Sequence, residues 1–132
     1  MQQAFPRTID ALGEIFSFTA SFYAREQIDS AHRFAVDLAV EELFTNMVKY
    51  TAGDHEVLID LDHADNRLTV RLTDYDVESF DVTQAAEASV DLPIDQRRPG
   101  GLGIHLTRQL MDEIDYQYVD RNSTITLIKQ LG

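Results

Sequence analysis

The chain has 132 residues, 44% of them hydrophobic and 26% charged, which is typical of a folded globular protein, and we expect residues 1–132 to form a single domain. Its 23 acidic residues against 11 basic ones give a formal net charge of -12, which repels phosphate backbones and anionic lipids, so we expect neither nucleic acid nor a membrane as a main partner. The sequence has no cysteine for disulfides or thiolate metal sites, and neither a signal peptide nor a run of about 18 apolar residues is evident, which predicts a cytoplasmic protein.

Two helices are predicted in the first part of the chain. Apolar residues recur at helical spacing from about Thr8 to Glu26. Asp29 followed by Ser30 is typical of a helix N-cap, and the second helix is predicted to run to about Thr51. The apolar stripe of this second helix comprises Val36, Ala39, Val40, Leu43, Phe44 and Met47.

Beyond the second helix the apolar residues alternate, which predicts strands. Residues 57–62 and 68–73 form one predicted hairpin, and residues 114–119 and 124–129 form another. Strands joined by short turns exclude a doubly wound parallel sheet. We therefore predict an α/β (α+β) two-layer sandwich, in which about three helices pack on a largely antiparallel mixed sheet.

The segment between the two hairpins is the least regular. Residues 74–99 include two prolines and favour a lid or a binding loop, with a short helix near residues 83–88. Apolar spacing after Gly103 predicts the third helix.

One polar band on the second helix could support chemistry. At about 100° per residue, Glu42, Asn46 and Tyr50 fall beside the core stripe, whereas Asp37 and Glu41 fall away from it. A carboxylate and a carboxamide on one face could serve a proton and a metal ion. Taken alone, such a pair is more often a wetted helix edge.

Two further features suit other parts of a nucleotide. The glycine-rich residues 100–103 before a helix offer backbone amides to phosphate, although no P-loop Lys-Ser or Lys-Thr follows them. Asp74, at a strand end, could accept a hydrogen bond from an exocyclic amine such as that of adenine. Arg97 and Arg98 could meet phosphate or the carboxylates of a partner.

Read together, residues 38–46 (LAVEELFTN), Asp74 and residues 99–104 (PGGLGI) resemble the ATP-binding motifs of the GHKL superfamily. The likeness is strongest to its small anti-sigma-factor serine/threonine kinases, the histidine kinase-like switch kinases of bacterial stress and sporulation pathways. It covers roughly residues 34–129. The resemblance implies an α/β sandwich that holds ATP between helices and a mobile lid.

The resemblance also implies roles for individual residues. Asn46 is similar to the asparagine that binds Mg²⁺, and Glu42 to the general base that takes the proton from a substrate serine. Asp74 is similar to the aspartate that binds adenine. Implied partners are a sigma factor and an anti-anti-sigma protein of the STAS type, and the family commonly forms homodimers.

The remaining implied contacts concern the phosphates of ATP. Gly101, Leu102 and Gly103 resemble the second glycine box, whose amides approach the phosphates. The segment 81–99 would be the lid, and Arg97 or Arg98 could help to neutralise the phosphates.

The chain departs from the family pattern D-x-G-x-P-F after the second predicted strand. Asp76 stands at the glycine position and Glu78 at the proline position. This departure leaves a second hypothesis open: a catalytically degenerate GHKL-fold regulator that switches partners by protein–protein binding without ATP turnover. A third, the detached catalytic domain of a histidine kinase, is disfavoured because we see no dimerising helix with a phosphoacceptor histidine.

Overall fold

The computed structural model describes residues 1–51, 53–78 and 107–132. Among these residues, five strands form one sheet of order β1-β2-β3-β5-β4, and every strand pair is antiparallel. This confirms the predicted α+β architecture. In chain order the elements are β1 (Gln2–Phe5), a 3-10 turn (Ile9–Ala11), α1 (Leu12–Glu26), α2 (Ser30–Tyr50), β2 (Val57–Ala64), β3 (Arg67–Asp74), β4 (Glu113–Val119) and β5 (Asn122–Gln130), and residues 107–110 are helical.

Helix α2 begins where its sequence predicts. The side chain of Asp29 accepts a hydrogen bond from the backbone N–H of Ala31 at 2.9 Å, which satisfies a donor that the first helical turn leaves free. At the other end, the N–H of Thr51 donates to the carbonyl of Met47 at 3.1 Å. The predicted stripe is buried throughout and joins one core with α1 and the sheet; its members are Val36, Ala39, Val40, Leu43, Phe44 and Met47.

The two predicted hairpins are also present, and each turns tightly. Strand β3 buries Leu68, Val70 and Leu72 completely, on the face that carries the helices. The turn residues have positive φ: 54° and 59° in the β2–β3 turn and 53° and 67° in the β4–β5 turn. Two consecutive residues of this kind match the right-handed twist of the flanking strands and fix the register of each hairpin. The residues concerned are Asp65, Asn66, Asp120 and Arg121.

Strand β1 was not predicted from the sequence. It pairs with β2 at the edge of the sheet, with Phe5 opposite Val57, and Phe5 is its one buried residue. After β1 the chain reaches the 3-10 turn, so that α1 begins at Leu12 rather than at Thr8. The link between β1 and this turn carries Arg7, which proves central to the site described below.

Within the described ranges, no helix combines the length and the apolar character needed to cross a bilayer.

Candidate nucleotide site

Glu42 and Asn46 form a hydrogen-bonded pair on α2. The Asn46 side chain is 5% exposed, and its Nδ2 donates to the Glu42 carbonyl at 2.8 Å and to Glu42 Oε1 at 3.2 Å. Glu42 is half-buried, whereas the neighbouring Glu41 is exposed. The helical register therefore places both side chains as predicted, and the two bonds orient the amide with its nitrogen toward Glu42.

The environment of Glu42 makes its carboxylate more basic. Burial raises the pKa of Glu42 above its ordinary value, and the charge of Glu41 adds to this, while the hydrogen bond from Asn46 and the charge of Lys49 act in the opposite direction. A carboxylate with a raised pKa is a better proton acceptor near neutral pH. The pair thus combines an oriented amide with a potential general base.

Asp74 lies at the end of β3 on the core face of the sheet. It pairs with Val57 on one side and Ser123 on the other, and it is completely buried. The guanidinium of Arg7 forms an ion pair with its Oδ1. The other carboxylate oxygen, Oδ2, accepts no hydrogen bond. Asp74 therefore has a counter-charge at Oδ1 and retains unused hydrogen-bond capacity at Oδ2.

Arg7 connects Asp74 to the last turn of α2. Its Nη1 is 3.3 Å from the carbonyl oxygens of both Met47 and Thr51, so a positive charge lies at the C-terminal end of the helix, where the helix dipole favours it. Its side chain is 11% exposed, and burial lowers its pKa. A Cβ on Gly53 would lie 3.1 Å from Arg7 Nη2 and 3.0 Å from Val77 Cγ1, so a glycine at this position leaves room for both side chains.

Asp76 occupies the position at which the resembled family has glycine, and its backbone keeps a glycine-like conformation. Its φ is 51°, in the left-handed region that Asp tolerates better than most residues. Its N–H donates to Asn122 Oδ1 at 3.1 Å, and its carboxylate accepts from Arg121 Nε at 2.8 Å. The Arg121 hydrogen bond and charge hold the pKa of Asp76 below its ordinary value. The added negative charge is thus compensated by the β4–β5 turn.

The same turn holds the next residue. The N–H of Val77 donates to the carbonyl of Arg121 at 2.8 Å, and the hydroxyl of Tyr118 donates to the carbonyl of Val77 at 2.7 Å. Together with the contacts of Asp76, these bonds anchor the backbone that leaves β3.

The structure brings together only part of the predicted constellation. It pairs Glu42 with Asn46 and links Asp74 to the end of the same helix through Arg7. Within residues 1–51, 53–78 and 107–132, no cluster of three or more His, Asp or Glu side chains could hold a metal ion. The predicted helix at 83–88 and five predicted contact residues lie outside the described residues; these five are Arg97, Arg98, Gly101, Leu102 and Gly103.

Sequence reasoning missed Arg7 altogether. Its partners lie on α2 and at the end of β3, far along the chain, and no local spacing indicates them. The one available signal is that Arg7 is a basic residue in a strongly acidic chain. This signal does not single out Arg7, because it applies equally to the other basic residues.

Comparisons with known proteins show the fold and the family. The serine/threonine-protein kinase BtrW of Bordetella bronchiseptica is 31% identical over 106 residues, which cover 78% of this chain and 74% of that protein. The SiaB–SiaC complex from Pseudomonas aeruginosa includes a chain of similar fold, with a TM-score of 0.63, 14% identity and coverage of 98% of this chain and 87% of that one. The Acinetobacter baumannii histidine kinase AdeS has a TM-score of 0.57, 12% identity and coverage of 100% and 68%. Residues 5–129 match the histidine kinase-like ATPase domain, which shows that the chain belongs to that family, the GHKL ATPases.

Proposed function

We propose that this protein is an ATP-dependent serine/threonine kinase and anti-sigma factor, which binds a sigma factor and phosphorylates a serine of a STAS-type anti-anti-sigma partner. The observation that carries the proposal is the Glu42–Asn46 pair, in which a half-buried carboxylate of raised pKa lies within 3.2 Å of an oriented amide. The similarity to a serine/threonine-protein kinase supports the protein substrate.

The described residues fit ATP and Mg²⁺ in part. Membership of an ATPase family implies ATP, and the unused hydrogen-bond capacity of the buried Asp74 suits the exocyclic amine of adenine. Because Asn46 Nδ2 is committed to Glu42, its Oδ1 is the atom suited to a hard cation. Mg²⁺ keeps most of its bound waters, and phosphate oxygens often fill the rest of its coordination shell. One protein ligand is therefore sufficient to hold it beside ATP.

In this proposal Mg²⁺ supplies charge neutralisation at the phosphates, and the protein positions the reacting groups. Glu42 would accept the proton of the substrate serine as its oxygen forms a bond to the γ-phosphorus, and ADP would leave. Phosphoryl transfer requires positioning and electrostatics more than covalent chemistry, so two well-held side chains and backbone amides suffice in principle. Asn46 would fix the Glu42 carboxylate through the 3.2 Å bond. The predicted phosphate contacts of Gly101, Leu102, Gly103, Arg97 and Arg98 complete the proposal.

The functional unit in this proposal is one ATPase-like domain of residues 1–132, acting as a homodimer. The sigma factor and the STAS-type protein would compete for binding to this homodimer. Phosphorylation of the STAS-type protein would decide which of the two partners is bound.

A direct test is phosphoryl transfer. Purified protein, Mg²⁺, ATP and a STAS-type protein that it binds should give a phosphoserine on that protein, detected by intact mass and mapped by fragmentation. Tight binding of the partner and of ATP without any phosphate transfer would refute the kinase proposal.

The second candidate, a regulator without ATP turnover, is favoured by a different observation. Adenine would need the carboxylate of Asp74, but this carboxylate is completely buried and forms an ion pair with Arg7. Titration calorimetry separates the candidates, since submillimolar Mg²⁺-dependent ATP binding excludes a regulator that never binds nucleotide.

A further inference from the structure

Arg7 makes the kind of contact with Asp74 that a nucleotide base would make. An arginine N–H and the exocyclic amine of adenine are both donors to a carboxylate oxygen. Asp74 is completely buried, and the guanidinium in contact with its Oδ1 belongs to Arg7, whose side chain is 11% exposed. A base therefore cannot reach the Asp74 carboxylate while the Arg7 guanidinium remains there.

The contact is also one that could be exchanged. Arg7 contacts Asp74 through the single atom pair Nη2 and Oδ1, whereas Oδ2 of Asp74 and Nε of Arg7 have no hydrogen-bond partner, so the ion pair is not a bidentate bridge. The two bonds from Nη1 to the end of α2 are long, at 3.3 Å each. A donor with better geometry can compete with such a partner.

Arg7 lies on the link that follows an edge strand. Strand β1 buries only Phe5, whose ring packs edge-on against Phe18 of α1, and it is otherwise held by the β-ladder with β2 and by the contacts of Met1 with that strand. Movement of Arg7 out of the site would pull on residues 6–8 and so on this edge strand.

We propose that Arg7 is an internal competitor of the nucleotide base for Asp74, so that nucleotide binding displaces the Arg7 guanidinium and loosens β1. The proposal rests on the function proposed above and adds a mechanism that sets nucleotide affinity and couples it to an edge of the sheet.

The test compares two arginine variants in the full chain. Arg7→Met removes the competing donors and keeps the length of the side chain, whereas Arg71→Met removes an exposed arginine whose ion pair with Asp60 spans 3.9 Å. Each makes the net charge one unit more negative than -12, which by itself weakens the binding of an anion. Tighter binding to Arg7→Met therefore cannot arise from charge.

Calorimetry with Mg²⁺-ATP and Mg²⁺-ADP should show that Arg7→Met binds each nucleotide about tenfold more tightly than Arg71→Met does. This difference corresponds to a parent protein in which the state with Arg7 on Asp74 is favoured by roughly nine to one. The gain in affinity should be equal for both nucleotides, because they share the base, and absent for inorganic tripolyphosphate. If the parent protein binds ATP and Arg7→Met binds it no more tightly than Arg71→Met, the competitor proposal is wrong and the kinase proposal stands. If no form binds nucleotide, both are wrong.

Hydrogen exchange gives a readout that needs no variant. Saturating ATP should speed amide exchange in Gln2–Phe5 of the parent protein, and unchanged or slower exchange there would overturn the proposal even if Arg7→Met does not fold. In a folded Arg7→Met, ATP should leave the exchange of β1 unaltered. Phosphoryl transfer measured on the same samples reports separately on the kinase proposal.

Discussion

Replacing Glu42 by glutamine removes the proposed base and preserves the local structure. Glutamine keeps the Oε1 atom that accepts the 3.2 Å bond from Asn46, so the side chain and its partner should remain in place. A general base contributes about 10²–10⁴-fold to a rate, and because phosphoryl transfer depends mainly on positioning, we expect a loss near 10²-fold in kcat with little change in KM for ATP. The matched control is Glu41→Gln, which makes the same charge change at an exposed neighbour.

The pH dependence gives a second measurement. Because burial raises the pKa of Glu42, the rate of the parent protein should begin to fall at a pH above the ordinary pKa of glutamate. The pH–rate profile of Glu42→Gln should lack this acidic limb. The folded protein binds this proton more tightly than the unfolded chain, so the ionised carboxylate costs stability above the folded pKa, and this cost disappears as the pH falls through it. Glu42→Gln should therefore raise the free energy of unfolding at pH 7 more than Glu41→Gln does. This difference between the two variants should become smaller at acidic pH.

The proposed role of Glu42 is refuted if Glu42→Gln phosphorylates the partner within about threefold of the Glu41→Gln rate, since that difference is below the smallest contribution expected of a general base. The unfolding measurement is independent of catalysis, and it would still report whether the carboxylate is destabilised by burial.

Three further predictions concern the framework of the site. Asp29→Ala should cost about 1 kcal/mol of stability in thermal unfolding because α2 loses its cap, and an unchanged midpoint would contradict the capping role. Leu72→Ala should cost about 2–5 kcal/mol in urea unfolding, whereas Thr73→Ala, on the opposite face of β3, should cost less than about 1 kcal/mol; equal costs would contradict the assigned faces. Asp76→Val should melt at a lower temperature than Asp76→Gly, although both lose the carboxylate, because a β-branched residue is strained at a φ of 51°; the reverse order would contradict the left-handed conformation.

Local patterns predicted those parts of the fold whose contacts are local in sequence. The Asp29 cap, the α2 stripe and the alternation in β3 all follow from spacing, and the structure reproduces them. The register of Glu42 and Asn46 beside the core follows from the helical repeat in the same way.

Long-range contacts account for what the sequence did not reveal. Strand β1 has four residues and a single buried side chain, Phe5, so it has no alternation to detect and depends on pairing with β2. The ion pair between Arg7 and Asp74 joins distant segments. The conformation of Asp76 depends on Arg121 and on the turn that carries it, and no pattern of residue types contains that information.

The strand order has a consequence for the order in which the sheet assembles. Strands β2 and β3 form one hairpin, β4 and β5 form another, and the two hairpins join through the β3–β5 ladder, with Asp74 opposite Ser123 at its end. Each hairpin is specified by its own tight turn, so its contacts are local in sequence. The β3–β5 ladder joins segments that are distant in sequence, and such pairings form more slowly than local ones. We therefore expect the Asp74 end of the sheet to become ordered after the two hairpins have formed.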